Sequence, residues 1–240
     1  MHDYNSSARM YWWTVAVAGT LLLAHALFSI TSLATPLMLQ VALATAFVGA
    51  VAFFPVEIPG SKISVAAGEI VIFLVLFLHG AEAAAVVAAV EGAIGAARTS
   101  KRWTSWFGTP AMAAIATSIS GYGFLAARTA LDRQGQLTGV TMIVLLTVFA
   151  LVYWALCNIL PSLVLALKRG ERLNLVSLAK DRSWMAVSHL LGSAIAANLY
   201  YAGATIGLWV LMAVLPLMVI SLVSAHFLLR RAQTDTCQRN

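Results

Sequence analysis

The chain has 240 residues, 61% of them hydrophobic and only 10% charged, with a mean hydropathy of +0.87. So few charges cannot cover a water-soluble globule of this size, so the composition excludes a soluble domain and specifies an integral membrane protein. A net charge of +6 would point a soluble protein towards nucleic acid. Here the basic residues gather in short segments between apolar runs, where membrane topology accounts for them, and no nucleic-acid partner is expected.

With about 20 apolar residues per helical crossing, clear spans fall at 11–31, 37–54, 107–127, 139–167, 184–202 and 205–229. Two shorter runs, 64–79 and 82–97, are separated by HGAE and read as two short crossings or one hairpin that dips in and returns. The expectation is an all-α, polytopic helical bundle of about eight membrane segments including a short hairpin. It forms a single domain over 1–231, followed by a short polar tail, 232–240. MHDYNSSARM precedes the first run with no small-residue cleavage site, so that run is expected to be retained. Cys157 and Cys237 have no partner spacing and read as free thiols.

Arg98, Lys101 and Arg102, then Lys168, Arg169, Arg172, Lys180 and Arg182, then Arg230 and Arg231 all fall on one face if there are eight segments. That face, which also receives Arg9, is expected to be cytoplasmic and to hold both termini. The other face receives ITSLATP, HGAE, RTALDRQGQ and a tight YAGA turn. The segment 168–183 reads either as a plain basic loop or as a short surface helix with Leu173, Val176 and Leu178 or Ala179 towards lipid.

In the run 82–97, Ala81, Ala85, Ala89 and Ala93 recur every four residues, as do Ala88, Gly92 and Ala96, a pattern that buries a helix among its neighbours. Glu82 and Glu91 stand about half a turn out of phase, so they cannot form a carboxylate pair on that helix. Acids in apolar runs must face protein or water, which singles out Glu69 and Glu91. Glu69 stands near a helix start after the flexible AAG; the plain alternative to a ligand contact is that it caps its helix or pairs with Lys62. His189, Ser193 and Tyr200 share one helical face, and Asn158 followed by Pro161 marks an interhelical hydrogen bond and a kink. The candidate ligand- or signal-sensing residues are therefore Glu69, His79, Glu82, Glu91, Asn158 and His189. No cofactor is specified. His25/His79 or His189/His226 could hold haem or a metal, but no histidine has a second ligand at helical spacing, and ordinary buried histidines are the expectation. There is no phosphate loop, nucleophile elbow or HExxH, so no enzymatic activity is expected.

Two passages carry a family likeness. FFPVEIPGSKISVAAGEIVIFLVLFLHGAEAAAVVAAVEGAIGAARTSKRW and LVYWALCNILPSLVLALKRGERL resemble the multi-span membrane sensor domains (MASE-like) that precede GGDEF or HD-GYP modules in bacteria. The resemblance covers about 10–231 and implies a signal-input domain of the bacterial inner membrane regulating cyclic-di-GMP turnover. Its partners would be the lipid bilayer, a cytoplasmic output module or partner protein, and a second copy in a homodimer. LVSAHFLLRRAQTDTCQRN is similar to the start of a connector to such a module. The chain contains neither a GGDEF nor an HD-GYP motif, so the resemblance implies a sensor without its output, truncated or acting through a separate partner. ISVAAGEIVIF is also similar to substrate-binding membrane subunits of energy-coupling factor vitamin transporters, which implies the alternative of a transport subunit.

Overall fold

The computed structural model describes residues 4–53, 56–57, 64–65 and 68–206. Asn5 caps the first helix by accepting the Ala8 amide at 2.8 Å, opening α1 (Ser6–Thr31). Pro36, in the first turn, starts α2 (Thr35–Ala52). A two-residue antiparallel pair follows, β1 (Val56–Glu57) with β2 (Ser64–Val65), Val56 opposite Val65. α3 (Gly68–His79) and α4 (Ala81–Thr99) are separated only by Gly80, whose φ of +93° is open to glycine and strained for other residues. α5 (Trp103–Arg133) and α6 (Gly139–Arg169) are 31 residues each; a reciprocal Thr138/Thr141 capping box opens α6, and left-handed Gly170 ends it. A seven-residue α7 (Leu175–Asp181) is capped by Asn174, and α8 (Ser183–Ile206) completes the described chain.

Among the described residues, α1, α2, α5 and α6 are long and apolar enough to cross a membrane unaided. Their outward residues suit lipid, not water: Phe28 is 77% exposed, Val140 72% and Ile143 66%. The chain is thus a membrane-embedded all-α bundle. Cross-links between elements sort the helix ends. The Asn5 side chain donates to the Leu167 carbonyl, Trp12 Nε1 donates to the Thr104 carbonyl, and Arg98 donates to the Ala52 carbonyl. The N-termini of α1 and α5 and the C-termini of α2, α4 and α6 therefore share one end, together with Lys101, Arg102, Lys168 and Arg169. Arg128 stacks over Tyr200 at the opposite end.

α3 and α4 form an antiparallel hairpin, since a Cβ on Gly68 would run into the Glu91 carboxylate at the far end from Gly80. Twelve residues rise only about 18 Å, less than the roughly 30 Å hydrocarbon core. α3 begins opposite Glu91, eight residues or about 12 Å inside the end of α4. Val71 to Phe77 are all buried, so α3 is the centre of the bundle, apolar all round. Phe73 packs edge-on against Phe149 and Tyr153 of α6, and Phe77 meets Phe124 of α5 and Tyr200 of α8. The small-residue face of α4 is buried, with Gly92 3.4 Å (as a built Cβ) from the Pro110 backbone of α5.

Two expectations are corrected. The third segment is helical from Gly68 rather than from 64, because Ser64 and Val65 pair as strand with residues 56–57. YAGA is not a turn: α8 continues through it to Ile206, its two alanines favouring helix and its glycine tolerable within a membrane helix. The segment 168–183 holds a short helix, one of its two expected readings, with Val176 outwards at 80% exposed as that reading named; Leu175 is also exposed at 54%, and Leu173, Leu178 and Ala179 are half-buried. The expected span 205–229, with His226, lies outside the described residues beyond Ile206, as do Lys62 and the polar tail.

Candidate functional site

The hairpin sets the site. Glu69 and Glu91 each stand eleven residues from Gly80, one before and one after, so folding α3 back along α4 brings the two carboxylates level. They are close enough to interact electrostatically, and both also act on Tyr153 and Cys157, one turn apart on α6. Gly68 is what allows this approach, because any side chain there would occupy the space of the Glu91 carboxylate. Glu91 Oε1 is buried without a hydrogen-bond partner among the described residues.

α8 contributes the balancing group. His189 is 2% exposed, and its Nδ1 lies 2.7 Å from Glu69 Oε2, while its ring sits 5.3 Å from the Tyr153 ring. The carboxylate oxygen is off the line of the ring N–H. The pair is therefore an electrostatic contact, and neither imidazole nitrogen has an aligned hydrogen bond among the described residues. When the imidazole carries a proton, it neutralises one of the two carboxylates. A buried imidazole with unused donors and acceptors beside two carboxylates can hold a proton or a cationic or hydrogen-bonding ligand.

Towards the basic end, Asn158 of α6 is 2% exposed and fully engaged. Its amide donates to the Trp154 carbonyl at 2.7 Å, and its Oδ1 accepts from Arg182 Nη1 at 3.0 Å. Trp154 Nε1 in turn donates to the Arg182 carbonyl at 3.1 Å. Arg182, at the α7–α8 junction, is thus tied to α6 through both its side chain and its backbone. Arg182→Met keeps the apolar stem but leaves the Asn158 oxygen without its donor, and should cost about 1–3 kcal/mol. Thermal unfolding in detergent checks this; adding Asn158→Leu, which removes the stranded acceptor, should recover part of the loss.

His79 and Glu82 lie at the other end of the hairpin, away from this cluster. Tyr122 of α5 donates to Glu82 Oε1 at 2.9 Å, which anchors the start of α4 to α5. His79 is half-buried, His25 is exposed, and no group of three His, Cys, Asp or Glu residues suited to a metal occurs among the described residues. Of the six sequence candidates, the structure brings together Glu69, Glu91 and His189, places Asn158 in the adjoining network, and separates His79 and Glu82.

Sequence reading missed Tyr153, Cys157 and Arg182. The pairing of Glu69 with Glu91 had a signal in their equal distance from Gly80. Tyr153 and Cys157 share a helical face with the i, i+4 spacing. Arg182 had none, since a base between spans reads as topology. Compared with protein-family models, curated proteins and solved structures, the chain matches none.

Proposed function

We propose that the chain is a membrane-embedded signal-input domain of the kind that regulates cyclic-di-GMP modules, with Glu69, Glu91 and His189 as its sensing site. The observation that carries the reading is the 2.7 Å contact between Glu69 of the hairpin and His189 of α8. It joins the short central helix to the helix that leads to the C-terminal part of the chain, so a change in charge or occupancy there biases how α8 packs. An input site of this type acts by differential interaction with two packings, and unsatisfied polar groups supply that difference. The setting is a bacterial cytoplasmic membrane with both termini in the cytoplasm, which the collection of bases at one end of the bundle supports.

The transport-subunit alternative is weaker. It uses the small-residue face of α4 to dock on a coupling subunit, and that face is occupied by the chain's own α5.

Fusing a GGDEF cyclase module to residue 240 and measuring GTP conversion in membrane vesicles tests the proposal. Glu69→Gln and His189→Gln should each shift turnover by about 5-fold or more at unchanged membrane abundance, the lower bound of ordinary allosteric coupling. Turnover equal in the wild type, both variants and the free cyclase module would overturn the sensor reading.

A further inference from the structure

α1 and α5 touch closely at Gly19 and Ala111, and towards the basic end Gly108 of α5 makes room for the Trp12 indole of α1. Trp12 and Trp103 meet edge-on at 5.2 Å, and Trp12 is pinned by its bond to the Thr104 carbonyl. Beside this contact lies an open groove of about 370 Å³ lined by Trp12, Trp13, Val17, Leu21, Trp103 and Phe107, almost wholly apolar. Leu21 and Phe107 are 65% and 63% exposed along it. From Trp12 to Leu21 it follows α1 for nine residues, about 13 Å.

One end of this groove is cationic. Arg9 precedes Trp12 and Trp13 by three and four residues and so lies over the same face of α1. Lys101 and Arg102 immediately precede Trp103. α5 starts there with no acidic residue in its first turn and no side-chain cap, so its leading amides add to the attraction for an anion. Tryptophans at this level mark the headgroup boundary, where a charged head and an apolar tail part company.

We infer that this groove is a binding site for one anionic phospholipid, its acyl chain along Trp13, Val17, Leu21 and Phe107 and its phosphate at Arg9 and Lys101. A partner helix or second copy fits less well, because helix–helix contacts within membranes use small residues and this groove is walled by indoles and a phenyl ring. The charge at its mouth selects an anionic head, and its wall selects a chain.

Native mass spectrometry of the full chain, with phosphatidylglycerol and phosphatidylcholine of identical acyl chains in competition, tests the site. Phosphatidylglycerol should be retained preferentially, with each neutralised base in Arg9→Gln and Lys101→Gln lowering the preference about 5-fold. Phe107→Ala, at an exposed position, should weaken retention of both lipids alike. Equal retention of the two lipids by the wild type, or an unchanged preference in the Arg9→Gln/Lys101→Gln variant, overturns the assignment. So does disulfide cross-linking of Val17→Cys chains to one another in phosphatidylglycerol nanodiscs, which would make the groove an interface between copies.

Discussion

Gly19→Ala should destabilise the bundle by about 1–3 kcal/mol, the usual range for overpacking a close contact. A Cβ at Gly19 would lie 2.5 Å from the Cβ of Ala111 and 2.6 Å from its Cα and carbonyl oxygen. Backbone atoms cannot swing aside, so α1 must move off α5 as a body, opening the contact along its length. The loss should appear as a fall of roughly 2–4 °C in Tm per kcal/mol in detergent. Ala111→Gly should return little of it, because the Ala111 backbone remains in the way. Gly123→Ala, on the same α5 but with open space around the added methyl, should leave stability unchanged or raise it by up to about 1 kcal/mol. If Gly19→Ala and Gly123→Ala unfold alike, the close crossing of α1 and α5 is wrong.

That crossing shows where sequence reading stops. The apolar runs were legible because a helix in lipid must satisfy its own backbone, which ties span length to bilayer thickness. The small-residue repeat of α4 likewise announced its burial. Gly19 and Ala111, however, sit in separate helices with no common pattern, and only the packed bundle shows them in contact. The start of α3 was hidden for another reason: Ser64 to Ala67 continue the apolar run, and hydropathy cannot distinguish a strand pair with residues 56–57 from another turn of helix. The candidate site follows the same division. Glu69 and Glu91 are costly in lipid and therefore visible, and Gly80 offers the fold line that aligns them. His189 arrives from a helix over a hundred residues away, and its burial alone does not say which acid it meets.

His189→Leu should be more harmful than Glu69→Gln. Removing the imidazole leaves Glu69 facing Glu91 and the Tyr153 hydroxyl with no balancing group, whereas Glu69→Gln removes one of the two carboxylates and leaves an amide able to hydrogen-bond the ring. Glu69 retains 21% of its side-chain exposure, so the pair is not fully buried, and the loss for His189→Leu should fall below the roughly 3–5 kcal/mol of a fully buried broken pair. In the double variant the stranded carboxylate is gone, so the combined loss should be smaller than the sum of the single losses by about 1–3 kcal/mol. Unfolding measured across this cycle isolates the contact from the general effect of changing two buried residues. Additivity within about 0.5 kcal/mol would mean that Glu69 and His189 do not act on one another. The proposed sensing site would then lose the contact through which the central hairpin is proposed to act on α8. A clear coupling energy, with Glu69→Gln inserting into the membrane at the wild-type level, would show that the contact ties the central hairpin to the last described helix, as the proposed input requires.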